Sequence, residues 1–187
     1  MTIEYKIEFH SPWHCGSGLS AGADVDALVI KDKDNLPYIP GKTLKGLIRE
    51  AVEEYVQLSH ACCEDVILAI FGPSEVNCPD DISKGEAFFT NAELSSDEQK
   101  AIVENQLQNQ LYSVISSTAI DDDGIVLDHS LNRKQVVVPC SLFASIHFLE
   151  KNHAQLISKA IGMIKQIGLN RNRGLGRCTF CVINEKE

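Results

Sequence analysis

The sequence predicts an α+β domain built on a βαββαβ core, and three observations carry that prediction. The N-terminal residues MTIEYKIEFH alternate Ile3, Tyr5, Ile7 and Phe9 with Glu4, Lys6, Glu8 and His10, the period of a half-buried strand. Leu44, Leu47, Ile48, Ala51, Val52 and Tyr55 recur at i, i+3, i+4, i+7, i+8 and i+11, the stripe of an amphipathic helix. A second such stripe, Leu156, Ile157, Ala160, Ile161 and Ile164, lies near the other end and is followed by the strand-like CTFCVI.

Taken in order, the first strand is broken by SPWHCGSG, after which residues 27–31 read as a short second strand turning at 33–35. Pro37 and Pro40 bracket an extended lead into the first helix, which runs to about Leu58 with Thr43 as its N-cap. Residues 59–83 have no clear type. EAFFTNAEL (86–94) reads as a strand, and Ser95–Ser96–Asp97 starts a Gln-rich helical segment toward Leu111. Residues 116–133 mix turn and apolar residues around DDDG, an irregular hairpin whose tip is the DDDG turn. QVVVPCSLFASIHF (135–148) is β-rich and interrupted at Pro139. The second helix spans 153–167 with Gly168 as its C-cap. The resulting order is the ferredoxin-like split β-α-β, one domain over residues 1–187 with insertions at about 59–83 and about 95–134.

At 187 residues, 44% hydrophobic and 23% charged, this is an ordinary globular chain able to bury a core. No stretch is long and apolar enough to span a bilayer. The N-terminus lacks a basic segment followed by an apolar run, and seven cysteines without such a leader point to reduced thiols in a cytoplasm. A net charge of −9 argues against a generally basic nucleic-acid binder. The basic residues are nevertheless local, at 42–49, 133–134 and 171–177.

Two of those clusters look built for anions. Lys42, Lys45 and Arg49 sit at the N-terminal end of the first helix, with Glu50, Glu53 and Glu54 after them. A helix dipole prefers the reverse order by roughly 0.3–1 kcal/mol per exposed charge. Basic side chains around open helix amides would attract phosphate. Near the C-terminus, GLNRNRGLGR (168–177) sets Gly168, Gly174 and Gly176 among Arg171, Arg173 and Arg177. Glycine permits close backbone approach and arginine offers bidentate donors, so both suit phosphate. On the predicted frame the two clusters are expected to form one surface.

IEFHSPWHCGSG, VDALVIKD, PYIPGKTLKGLIR, STAID and GLNRNRGLGR together resemble the RAMP superfamily of CRISPR-associated proteins. Within it they are similar to backbone subunits of type III effector complexes, of the Csm and Cmr kind. The resemblance covers the N-terminal third, the region from STAID to Phe148, and the C-terminal loop. It implies an RRM-like subunit that stacks with copies of itself and other CRISPR effector subunits along a guide RNA (crRNA). It also implies a thumb-like β-hairpin that interrupts guide–target pairing, matched here by residues 117–133 with Ile120 and Arg133 as thumb candidates. An Asp before the second strand would cut target RNA with Mg²⁺ or Mn²⁺. The matching residue is Asp26, as catalyst and metal ligand, with Asp24 as a possible second acid. Lys42, Thr43, Lys45, Arg49, Arg171, Arg173, Gly174, Gly176 and Arg177 would hold guide RNA without reading its sequence.

A carboxylate suits this chemistry, because an unperturbed Asp (pKa about 3.9) is ionised at neutral pH and can hold Mg²⁺ or orient a ribose 2′-OH. The residues leave rival readings open: an RNA-holding filament or cap subunit without catalysis, a metal-independent ribonuclease that matures guide RNA through His14, and a regulatory domain that binds no RNA. His14 itself reads as structural. His60, Cys62, Cys63 and Cys78 lack the knuckle spacing of a zinc site. Cys178 and Cys181 lie on a strand where i and i+3 face opposite sides, so they read as core thiols.

Overall fold

The computed structural model describes residues 1–22, 24–59, 64–73 and 85–186. Its main sheet has four strands in the order β2-β5-β1-β6, where β1 is Thr2–Phe9, β2 Phe88–Phe89, β5 Ser141–His147 and β6 Cys178–Lys186. Every neighbouring pair is antiparallel. Counting only these strands in chain order gives 2-3-1-4, the ferredoxin-like arrangement expected. The apolar alternation of β1 does what its period requires. Ile3, Tyr5, Ile7 and Phe9 are buried, and β5 answers in register with Ile146 opposite Ile3 and Leu142 opposite Ile7.

Two helices supply the other half of the core. Helix α1 (Gly41–Ser59) buries Leu44, Ile48, Ala51, Val52 and Val56, and α4 (Lys151–Ile161) buries Ala154, Ile157, Ala160 and Ile161. They pack on each other and join the β1 and β5 side chains in one cluster. Each fully buried Ile or Leu contributes roughly 1.5–3 kcal/mol, so this cluster dominates the fold. Helix α2 (Glu64–Phe71) packs against α1. Between β2 and β5 lie α3 (Ser96–Glu104), a 3-10 turn at Gln108–Leu111 and a hairpin of β3 (Tyr112–Ser117) with β4 (Asn132–Val137). Helix α3 starts as its sequence suggests: the Ser95 hydroxyl accepts from the Glu98 amide, and Glu98 accepts from the Ser95 amide in return. Among the described residues, no helix is long and apolar enough to cross a membrane.

Several boundaries differ from expectation, each because a distant partner decides them. Thr43 is not the cap of α1. The helix begins at Gly41, whose amide donates to Asn91 Oδ1 at 3.0 Å, fifty residues away in sequence. A Cβ at Gly41 would run into the Phe89 carbonyl, so the helix start is pressed against the segment after β2. Asn91→Ala should therefore cost about 1 kcal/mol, read as a lowered midpoint in urea unfolding. Residues 27–31 do not form a strand. They make isolated bridges to three separate places, with Val29 to Gly16, Ala27 to Lys134 and Lys31 to Pro37. Of the strand expected at 86–94, only Phe88–Phe89 runs as a strand with β5. Beyond it the chain bulges at Asn91, Ala92 pairs with Ile39, and Glu93 returns to bridge Phe143 of β5.

The second helix ends at Ile161 rather than 167, and Gly162 rather than Gly168 follows it. Ile164 and Ile167 stay buried in the extended segment beyond, which mimics a continued helical period. That segment bonds to the start of β6, where the Cys178 amide donates to the Lys165 carbonyl at 2.9 Å.

Candidate functional site

Asp26 sits where the hairpin meets the body. Its amide donates to the Arg133 carbonyl at 2.8 Å, and its Oδ2 accepts from the Arg133 amide at 2.7 Å. Next to it, the Gln135 amide donates to the Ala27 carbonyl at 3.0 Å, completing a short parallel junction with β4. Asp26 is exposed, and Oδ1 has no protein partner among the described residues. The carboxylate is thus oriented by main chain on one oxygen and open on the other. Asp24 is also exposed, on the turn where its amide donates to the Ala21 carbonyl at 3.3 Å.

The hairpin is regular from Tyr112 opposite Val137 to Ser117 opposite Asn132, and it continues through an Ile120–Val126 bridge. Asp121 Oδ1 accepts from the amides of Asp123 and Ile125, so DDDG is the tip turn. The hairpin is strongly apolar on its outside. Val114, Ile115, Ile120, Ile125, Val126, Leu127 and Leu131 are all exposed, Ile120 by 62%. Sequence reasoning missed this exposure, although its signal was present: seven large aliphatics, some adjacent on a strand and so facing both sides, with nothing predicted to cover them.

The Gly/Arg loop packs on the segment after β1. The Leu169 amide donates to the His14 carbonyl at 3.0 Å and the Gly176 amide to the Pro12 carbonyl at 2.8 Å. Added Cβ atoms would strike the His14 carbonyl from Gly168 and the Ile167 carbonyl from Gly176. Those two glycines serve packing. Gly174, at φ +90°, is the one that faces open space. His14 is 2% exposed, and its Nδ1 lies 2.6 Å from the Gln135 carbonyl. A carbonyl only accepts, so Nδ1 carries the proton. A continuous path of bonded groups therefore runs from the loop through His14 and Gln135 to Ala27 and Asp26.

The two basic clusters do not form one surface. Arg171 lines a groove with Leu47, Glu50, Ala51 and Glu54 of α1. At about 100° per residue, that side of the helix lies roughly 150° from the mean direction of Lys42, Lys45 and Arg49. The reason is the extended segment after α4, which carries the loop along the acidic side of α1. Most amides at the helix start are also taken: that of Gly41 by Asn91 Oδ1 and those of Thr43 and Leu44 by the Pro40 carbonyl. Lys42 and Thr43 are exposed and Lys45 half-buried, whereas Arg49 is committed: Nε donates to Glu53 Oε1 at 2.8 Å, and a terminal nitrogen donates to the Gly72 carbonyl at 3.0 Å. Arg171, Arg173 and Arg177 are all exposed.

Among the described residues no group of three or more His, Cys, Asp or Glu side chains is placed to hold a metal. The donor set at Asp26 fits only a hard cation that takes one carboxylate oxygen from protein and the rest from water and phosphate, as Mg²⁺ often does. His60, Cys62, Cys63 and Cys78 lie outside the described residues. Cys178 is buried and Cys181 exposed, on opposite faces of β6, so the pair cannot close on one ion and only Cys178 is a core thiol. Burial pushes the Cys178 thiol up to about 12.

Residues 6–179 match the family described as RAMPs, the RAMP superfamily. No curated protein matches the sequence. Among solved structures, the chain is similar to one from the type III-B Cmr-beta complex bound to cognate target RNA, covering 97% of each chain at 13% identity and a TM-score of 0.71. It is also similar to a chain of type III-B Cmr-beta in the apo state, covering 99% of this chain and 98% of that one at 13% identity and a TM-score of 0.73. At this identity the likeness is one of fold.

Proposed function

Because this chain belongs to the RAMP superfamily, we propose that it is a guide-RNA-holding subunit of a type III CRISPR ribonucleoprotein, and that its Asp26 cuts bound target RNA. The family match across most of the chain carries the first half of this reading. The fold likeness to chains of a type III-B complex, one of them described as bound to cognate target RNA, supports it and points to RNA, copies of this chain and other effector subunits as partners. The second half rests on one oriented, half-open carboxylate at the root of the hairpin.

Asp26 would act on the target strand held across that root. With Oδ2 fixed by the Arg133 amide, Oδ1 is the atom left to orient the ribose 2′-OH. The 2′-oxygen gives its proton to Oδ1 and bonds to the adjacent phosphorus as the bond to the 5′-oxygen breaks, leaving a 2′,3′-cyclic phosphate and a 5′-hydroxyl protonated from water. A divalent cation, Mg²⁺ or Mn²⁺, held by Asp26 and phosphate oxygens, would stabilise the charge that builds on the phosphate. Lys42, Thr43, Lys45, Arg173, Gly174 and Arg177 would hold guide phosphates. Arg49, paired with Glu53, and Arg171, in a groove with Glu50 and Glu54, are not among those donors. A subunit that holds RNA without cutting it is the second reading, favoured by the absence, among the described residues, of any group of three or more His, Cys, Asp or Glu side chains placed to hold a metal. A guide-maturing role through His14 is disfavoured by its burial.

Complexes purified with this subunit should carry RNA, seen as a raised 260/280 nm absorbance ratio. Lys45→Glu should reduce the RNA retained several-fold and flatten the dependence of log affinity on log salt by about one unit. Unchanged RNA content in Lys45→Glu would remove the α1 cluster from the interface, and wild-type complexes free of RNA would overturn the reading.

A further inference from the structure

We propose that a cavity of about 540 Å³ lined by His10, Lys165, Gln166, Arg177 and Thr179 is a phosphate-binding site. It lies at the end of the sheet where β1 leaves and β6 begins, beside the Gly/Arg loop. Three of its lining side chains carry basic nitrogen, and none carries a carboxylate. In a chain of net charge −9 that is an unusual concentration of one sign. Lys165 and Gln166 also border the neighbouring groove at Arg171, which Glu50 and Glu54 make acidic, whereas the cavity itself is lined by no carboxylate.

The donors are largely unspent. Arg177 uses its main-chain amide on Ser11 Oγ at 2.9 Å, while its guanidinium makes no protein hydrogen bond among the described residues. Lys165 Nζ donates to the Gly162 carbonyl at 2.6 Å, which leaves two ammonium protons. His10 Nε2 lies 2.8 Å from Thr179 Oγ1, which fixes the ring and leaves Nδ1 unspent. The acid that feels the charge of His10 is Glu8, and it is already occupied: Lys6 Nζ lies 2.7 Å from Glu8 Oε2 and holds that carboxyl below its usual range. A forked guanidinium, an ammonium and an imidazole converging without a competing carboxylate match the oxygens of a phosphate.

The same chemistry would come from an RNA backbone or from a small phosphorylated molecule, and the RNA arm rests on the RNA-holding reading above. Inorganic phosphate titrated into the full chain should shift the His10 ring resonances saturably and leave those of His129, on the hairpin, in place. Lys165→Glu alters an exposed side chain, and an unchanged circular dichroism spectrum will verify its fold. It should weaken phosphate binding about tenfold, and weaken single-stranded RNA binding with a salt slope smaller by about one. A loss for RNA, with or without a loss for free phosphate, assigns the cavity to backbone phosphate. A loss for phosphate with RNA affinity unchanged assigns it to a small phosphorylated ligand. Static His10 resonances together with unchanged RNA affinity and slope would overturn the site. Wild-type chain that binds no RNA, yet responds to phosphate at His10, would sink the RNA-holding reading and leave this site standing.

Discussion

Complexes carrying Asp26→Ala are expected to cut target RNA about 10²–10⁴-fold more slowly, the usual loss when a group acting on the nucleophile is removed. Retained guide RNA should not change, because the residues proposed to hold it lie elsewhere. Alanine alone is an ambiguous test, since it also removes the bond from the Arg133 amide to Oδ2. That bond is worth roughly 0.5–1.5 kcal/mol and anchors the hairpin. Asp26→Asn resolves the ambiguity. An amide oxygen still accepts from Arg133, but it carries no charge to hold a cation. Equal loss in both variants, measured as the rate of appearance of regularly spaced fragments, assigns the activity to the carboxylate charge. Loss in Asp26→Ala alone would make Asp26 an anchor for the hairpin, and wild-type rates in both would leave the RNA-holding subunit without catalysis as the better reading.

The largest effect on stability is expected at Trp13. It is 1% exposed, stacks on Phe9 with ring centroids 4.7 Å apart, and exchanges backbone hydrogen bonds of 3.0 and 2.8 Å with Val137. Trp13→Ala should cost roughly 3–5 kcal/mol through lost burial and the cavity left behind. For a chain of this size that lowers the melting temperature by roughly 10 °C. Trp13→Phe keeps the stacking and most of the apolar area and should recover more than half of the loss. A calorimetric change below about 1 kcal/mol for Trp13→Ala would mean that the segment after β1 is not part of the cooperative core.

How much was legible in the sequence follows from the range of each force. Patterns set within one element were readable: the alternation of β1, the stripe of α1, the Ser95 cap and the DDDG turn each depend on neighbours a few residues away. The strand order could be inferred because few ways exist to pair four such strands around two helices. Features set by distant partners could not be read. Thr43 is a good cap by type, yet Asn91 reaches the helix start first. Ile164 and Ile167 keep a helical period because they face the same core from an extended chain. The expected union of the two basic clusters failed for a related reason. Which side of α1 the loop meets depends on the path of residues 162–167, and nothing in the loop itself encodes that. At the candidate site, the resemblance named Asp26, but the Arg133 main-chain partner that orients it is silent in any reading of side chains.

That partner being main chain has a consequence for change over time. Position 26 grips the N–H and C=O of residue 133, not its guanidinium. The socket is therefore indifferent to what residue 133 is, provided it is not proline. Length, charge and tip of the excursion can drift, or be exchanged wholesale for another, while the carboxylate keeps its place. The chain can acquire a new excursion without having to reinvent the position from which it would cut.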